Sequence, residues 1–187
     1  QFTPREEEKP GLAQSVILYG YPGVPIADED RYAMTVLDGA LSGIYYPGGR
    51  LHERLRDAQL VYGVHAYNSG GLGTAMFVVQ AATTADKRAQ VQEIIEEEMQ
   101  RLLDEDVSAA ELERAKSMAI AARAISLQTN AAQAGDATSN ELFGLGYRVD
   151  DDYAEKINAI TAADVRRVAK QYLHLEHAAR AVVESPQ

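Results

Sequence analysis

Cysteine is missing from this sequence altogether, which excludes disulfides, thiol catalysis and thiolate-held zinc while leaving the redox compartment open. Long apolar runs are missing too. None approaches the roughly 20 residues of a membrane-spanning helix. The opening QFTPREEEKPG is polar and acidic where a signal peptide would be basic and then apolar, so neither a leader nor a span is visible and the compartment stays unknown. A positive field is lacking as well. With 28 acidic against 18 basic side chains the net charge is −10, which argues against nucleic acid as a partner because phosphate binding needs clustered cations. No methionine stands at position 1, as expected of a processed chain or of a piece of a longer one. What remains is the composition of a soluble globular protein, 46% hydrophobic and 25% charged. Its length suffices to bury about 70% of the unfolded surface without covalent staples. Residues 1–12 read as a linker, and 13–187 as one domain without an internal boundary.

Along the chain, AQSVILYGY (Ala13–Tyr21) is a short β-branched run stopped by Pro22-Gly23, the pattern of a buried strand. DEDRYAMTVLDGALSG follows with acids in its first turn, Tyr32, Ala33, Val36, Leu37, Ala40 and Leu41 on one helical face, and Gly43 just past its end. IYYPGG is a turn-rich loop, and RLHERLRDA a short helix with Leu51 and Leu55 inward. LVYGVHAYN and GTAMFVVQAAT, joined by SGGLG, form an antiparallel hairpin. The second of these strands is apolar nearly throughout and so belongs in the interior of a sheet. From Thr84 the chain is mostly helical. Val91, Ile94, Ile95, Met99, Leu102 and Leu103 make one stripe, with Glu96–Glu98 on a mostly solvated face. A capping box opens the next helix at Ser108 and Glu111. Short helices are expected in TSNELFGLGYR and DDYAEKINAI, another opens at Thr161, and AARAVVES is a last strand. Helices on one face of a mixed, mostly antiparallel sheet make an α+β layer fold.

Self-sufficient chemistry is not found. The glycine groups YYPGGR and NSGGLGT fit neither the phosphate-loop nor the dinucleotide spacing, and no serine stands in a G-x-S-x-G elbow. His174 and His177 of HLEH share an i, i+3 spacing, and with Glu176 they are a candidate zinc set. They sit where a helix gives way to a strand, however, and the plainer reading is a helix C-terminal cap. His52 and His65 are isolated and read as structural residues.

The order of motifs nonetheless resembles a known family. The strand ending in YGYP, the helix DRYAMTVLDGALSG and then GGRLHERLRDAQLVYGVHAY are similar to the start of the second domain of pitrilysin-type zinc metallopeptidases, the inverzincins. That group includes the mitochondrial processing peptidase and insulin-degrading enzyme. DEDVSAAELERAKSMAI and INAITAADVRRVAKQYLHLEHAARAVVESP resemble the family's later helix starts and its ending, so the likeness runs from about Ala13 to Pro186. It implies a LuxS/processing-peptidase-like metallohydrolase fold and a chamber built from two homologous domains. The zinc of that chamber sits in an H-x-x-E-H motif on the first domain. This chain has no H-x-x-E-H and resembles the second, zinc-free domain. The resemblance therefore implies no cofactor here and zinc in a partner. The partner would be an H-x-x-E-H domain or subunit, an extended peptide would be the substrate, and either a homodimer or a heterodimer is admitted. The chain by itself is expected to be inactive.

In the family the second domain contributes an arginine and a tyrosine from L-R-x-x-x-G-L-x-Y, which reach toward the substrate at the metal. LRDAQLVY places Arg56 and Tyr62 at those positions. A guanidinium or phenol aimed at a developing oxyanion stabilises it by about 3 kcal/mol, and the planar guanidinium fork also clamps a carbonyl. The spacing departs from the family's. Five residues separate Arg56 from Tyr62 instead of the usual six, and the glycine before the leucine is missing. A one-residue slip at a strand entrance flips a side chain to the other face. The alternative is therefore that Arg56 pairs with an acid and Tyr62 packs in the sheet, in a structural domain of the same fold without a role in proteolysis. Arg50 and Arg54 read as solvated or ion-paired. IYYPGG stands where the processing peptidase has a mobile glycine-rich loop, although a tight turn before a helix is the plainer reading.

Overall fold

Strands form where β-branched and aromatic residues cluster, and they assemble in the order β1-β5-β2-β4-β3. The computed structural model describes residues 5–8, 14–44 and 47–184. The strands are β1 (Arg5–Glu8), β2 (Ser15–Pro22), β3 (Gly63–Ser69), β4 (Met76–Thr83) and β5 (Ala179–Glu184). All neighbours pair antiparallel except β1 with β5. The apolar β4 lies between β2 and β3, as its composition requires. Ile17, Tyr19 and Tyr21 stand opposite Ala81, Val79 and Phe77, and Val64 and Ala66 extend the same buried face across β3. The period of two thus sorts one face toward the helices.

Residues 5–8 lie within the segment read as a linker, yet they add an edge strand parallel to β5. REEE has no β-branched or aromatic residue, so nothing in its sequence announces a strand; its pairing with β5 is seen only in the fold. Residues 1–4, 9–13, 45–46 and 185–187 lie outside the described residues, and with them most of that linker and Tyr45–Tyr46 of the IYYPGG loop.

Above the sheet lie α1 (Asp30–Leu41), α2 (Gly49–Leu51) continued by a π-helical turn (His52–Arg56), α3 (Arg88–Asp104), α4 (Ala109–Ser126), α5 (Asn130–Leu142), α6 (Tyr153–Ala159) and α7 (Ala162–Tyr172). The apolar stripes read from the sequence are the buried faces of α1 and α3. Ser108–Glu111 and Thr161–Asp164 both close as capping boxes. The helix expected from Thr138 starts instead at Asn130, where the Thr129 hydroxyl caps it. Its alanines favour a helix, but none of its residues is buried, so no apolar stripe marked it.

Glu98 is the exception to the reading of EIIEEEMQ as a mostly solvated acidic face. It is fully buried and receives Arg54 Nη1 at 2.9 Å and Arg101 Nη1 at 3.0 Å, with Arg50 Nη1 4.0 Å away. It sits among the residues that make the stripe because three guanidiniums converge on it. Arg50 itself is buried and bound through Nε to Glu111 at 2.6 Å, a contact that holds the Glu111 carboxyl down at about 2.

The β3 edge of the sheet is closed from α1. The Ser42 hydroxyl donates to Asp38 at 2.8 Å and accepts the Ala66 N–H at 2.8 Å. Burial pushes Asp38 up to about 7 against this hydrogen bond, which favours the ionised form. Because the folded pKa lies above the unfolded one, the native state holds the proton more tightly. Stability from this group is therefore full below about pH 4 and is lost as the pH rises through 7. Asp38→Asn keeps an acceptor for Ser42 and removes the charge. It is expected to gain about 1–2 kcal/mol over the parent at pH 8 and to match it near pH 4, as read by urea unfolding at both pH values.

Candidate functional site

The segment that holds Arg56 and Tyr62 is fixed at both ends by backbone geometry. It begins at Gly49, whose φ of +75° and 2.7 Å approach of a would-be Cβ to the Ala40 carbonyl leave room for no side chain. From His52 the helix widens: Asp57 N–H reaches the His52 carbonyl at 3.1 Å and Leu60 N–H the Leu55 carbonyl at 2.8 Å, both five residues back. Leu51 and Leu55 are buried as expected. Gln59 then turns with φ +56°. Counting back from Tyr62, Gln59 occupies the place of the glycine in L-R-x-x-x-G-L-x-Y, so the left-handed turn survives although the glycine does not. Gln59→Gly is expected to stay within about 0.5 kcal/mol of the parent, since relieved strain offsets the freer unfolded chain. Gln59→Val is expected to lose about 1–2 kcal/mol, because a β-branched side chain suits this conformation worst. Urea unfolding of both variants measures the difference.

After that turn the backbone is tied down carbonyl by carbonyl. Lys87 Nζ donates to Gln59 at 3.1 Å, the Thr83 hydroxyl to Leu60 at 2.5 Å, and Arg56 Nη1 to Tyr62 at a long 3.4 Å. Tyr62 N–H meets the Ala82 carbonyl at 2.8 Å, one residue ahead of β3 rather than inside it. The side chains remain largely unspent. Tyr62 is 57% exposed, and no described carboxylate lies within ion-pair distance of Arg56. Together with Gln59, Leu60, Val61, Thr84 and Lys87 they line one open cleft of about 390 Å³. So the shorter spacing leaves Arg56 and Tyr62 on a common surface, with Tyr62 not packed into the sheet. Sequence reasoning missed Lys87, because a lysine in TADKRAQ looks like any solvated charge at a helix start.

The other candidates sort as follows. Arg50 and Arg54 are ion-paired, to Glu111 and to Glu97 and Glu98. His52 is buried 6.0 Å from the ring of His65; burial pushes its pKa down, and the neighbouring His65 and Arg56 add to that. His174 and His177 lie beyond the end of α7 with ring centres 6.3 Å apart, and His177 is largely exposed. Among the described residues no group of three or more His, Asp or Glu is placed to hold a metal, so the donors present do not fit a zinc site. A larger cavity of about 730 Å³ opens between α1, α4 and β3, but its arginines are occupied: Arg31 by Asp150 and Arg123 by Asp136 and Asp150. Strand addition by an extended peptide is not available at Ala66 of β3, where Ser42 already holds the outward N–H. Among the described residues no helix is long and apolar enough to cross a membrane.

Known proteins show the same arrangement of strands and helices. The chain is 30% identical over 162 residues to an uncharacterized zinc protease, SCO5738, of Streptomyces coelicolor, covering 86% of this chain and 35% of that protein. It is 25% identical over 177 residues to the uncharacterized zinc protease YmxG of Bacillus subtilis, covering 94% and 43%. It thus spans less than half the length of either relative. The crystal structure of a peptidase M16 inactive domain from Pseudomonas fluorescens superimposes with a TM-score of 0.86 at 18% identity, over 97% of this chain and 43% of that one, a likeness of fold alone. The model of the peptidase M16 inactive domain matches residues 1–119, and with that match over most of its length this chain belongs to the M16 metallopeptidase family as an inactive domain.

Proposed function

We propose that this chain is the substrate-handling half of a zinc-dependent endopeptidase, closing one wall of a chamber whose metal lies on an H-x-x-E-H domain or subunit. Arg56 orients the backbone of an extended peptide, and the Tyr62 phenol donates to the oxyanion that forms as the scissile carbonyl is attacked. The observation that carries this reading is the shared cleft: Arg56, without an acid partner among the described residues, and the half-exposed Tyr62 both line it, on a turn whose own carbonyls are already bonded. A residue needed only for packing would bury its ring, and an arginine needed only for stability would sit on a carboxylate, as Arg50 does. Without the partner the chain is inert.

The test is reconstitution. Mixed with or joined to its H-x-x-E-H half, the chain should support cleavage of extended peptides, and variants at positions 56 and 62 should slow it. The second reading, a structural domain of the same fold, is favoured by the shortened spacing; it requires that those variants leave the rate unchanged.

A further inference from the structure

Carboxylates outnumber cations in this molecule, and most guanidiniums have found one: Arg31, Arg50, Arg54, Arg101, Arg123 and Arg167 are all in ion pairs. Two cations that reach no described carboxylate, Arg56 and Lys87, line the same cleft. They come from different parts of the chain, one from the π-helical turn and one from the residue preceding α3. No acid lines that cleft. Each cation is anchored by a single bond to a loop carbonyl, Arg56 to Tyr62 and Lys87 to Gln59, and retains unused N–H groups. The same cleft is lined by Tyr62 and by the apolar Leu60 and Val61.

We infer that the Arg56–Lys87 cleft binds a carboxylate of the peptide, from an acidic side chain or from a free C-terminus. A planar fork and a point cation with spare donors suit a carboxylate better than a neutral carbonyl, since charge-assisted bonds are roughly twice as strong. The acidity of the remaining surface adds selectivity: a carboxylate is repelled across most of the molecule and attracted here. Asp57 and Asp86 neighbour the two cations in sequence and weaken the attraction without lining the cleft. A volume of about 390 Å³ takes one side chain or a peptide end, not a folded partner. As biology this rests on the peptide-handling reading above, but the binding itself is a property of this chain.

Titration of the isotope-labelled chain with three short peptides, followed by amide resonances, tests it. One carries Asp and an amidated C-terminus, the second carries Asn with the same amide, and the third is neutral with a free C-terminus. Saturable shifts at Gln59, Tyr62 and Lys87 with the first or the third, and not with the second, support the proposal and identify the carboxylate's source. Lys87→Gln should weaken that binding about fivefold while Lys87→Arg retains it, and raising the salt from about 0.05 M to about 0.5 M should weaken it further. Equal shifts with all three peptides, or none with any, overturn it. Loss of cleavage on reconstitution with binding intact sinks the catalytic reading alone, and the reverse sinks only this one.

Discussion

Glu98→Gln is expected to cost about 3 kcal/mol of folding stability, the cost of leaving a buried charge without its counter-ion. Three guanidiniums surround this carboxylate and differ in their means of escape. Arg54 and Arg101 are 38% and 46% exposed and recover hydration when the acid is neutralised. Arg50, 4% exposed, does not; it falls back on Glu111, whose carboxylate also caps α4. The loss therefore propagates from α3 through α2 to the start of α4, the framework that carries Arg56. For a chain of this size it corresponds to a fall of about 6–12 °C in Tm. Glu97→Gln is the control: its partner is also Arg54, but it is half-exposed, and a change within about 0.5 kcal/mol is expected. Urea or thermal unfolding of the two variants side by side decides it. A Glu98→Gln protein as stable as Glu97→Gln would mean that the cluster adds nothing to the fold.

Much of this architecture was legible because its signals are periodic or local. The stripes of α1 and α3, the apolar β4, the capping box at Ser108 and the helix start at Thr161 each follow from spacings of two to four residues, and each stands where it was read. What escaped depends on partners distant in the chain. Glu98 looks like its neighbours Glu96 and Glu97 until Arg50 and Arg54, more than forty positions away in sequence, are folded onto it. The strand Arg5–Glu8 is made by the edge of β5, and α5 by alanine propensity without a face to bury. Lys87 joins Arg56 only once the chain has closed a hairpin between them. Arg56 and Tyr62 themselves came to notice through resemblance, since composition and periodicity are silent about them, and their geometry rests on Gln59 taking a conformation that the sequence would have assigned to glycine.

Tyr62→Phe in the reconstituted protease is expected to lower kcat by about 10²-fold with KM nearly unchanged, the signature of a donor engaged in the transition state and not in the ground state. The ring keeps its place, because the Tyr62 N–H is fixed by Ala82 and its carbonyl by Arg56, and only the hydroxyl is lost. Arg56→Ala should behave differently. It removes the proposed clamp on the peptide and also one tether of the Tyr62 carbonyl, so KM should rise and kcat fall together. Arg56→Lys keeps the charge without the fork and should lie between. If both side chains address the same oxygen, the double variant will lose less than the product of the single losses, since removing either one already misplaces the other. Because Tyr62 is more than half exposed in the chain by itself, the donor gains its strength only when the opposing wall closes over it and excludes water. The tyrosine variant should therefore leave the stability of the isolated chain within about 0.5 kcal/mol while its effect appears in catalysis alone. A Tyr62→Phe protein that cleaves at the parental rate would assign this cleft to substrate binding or to structure and take the chemistry elsewhere.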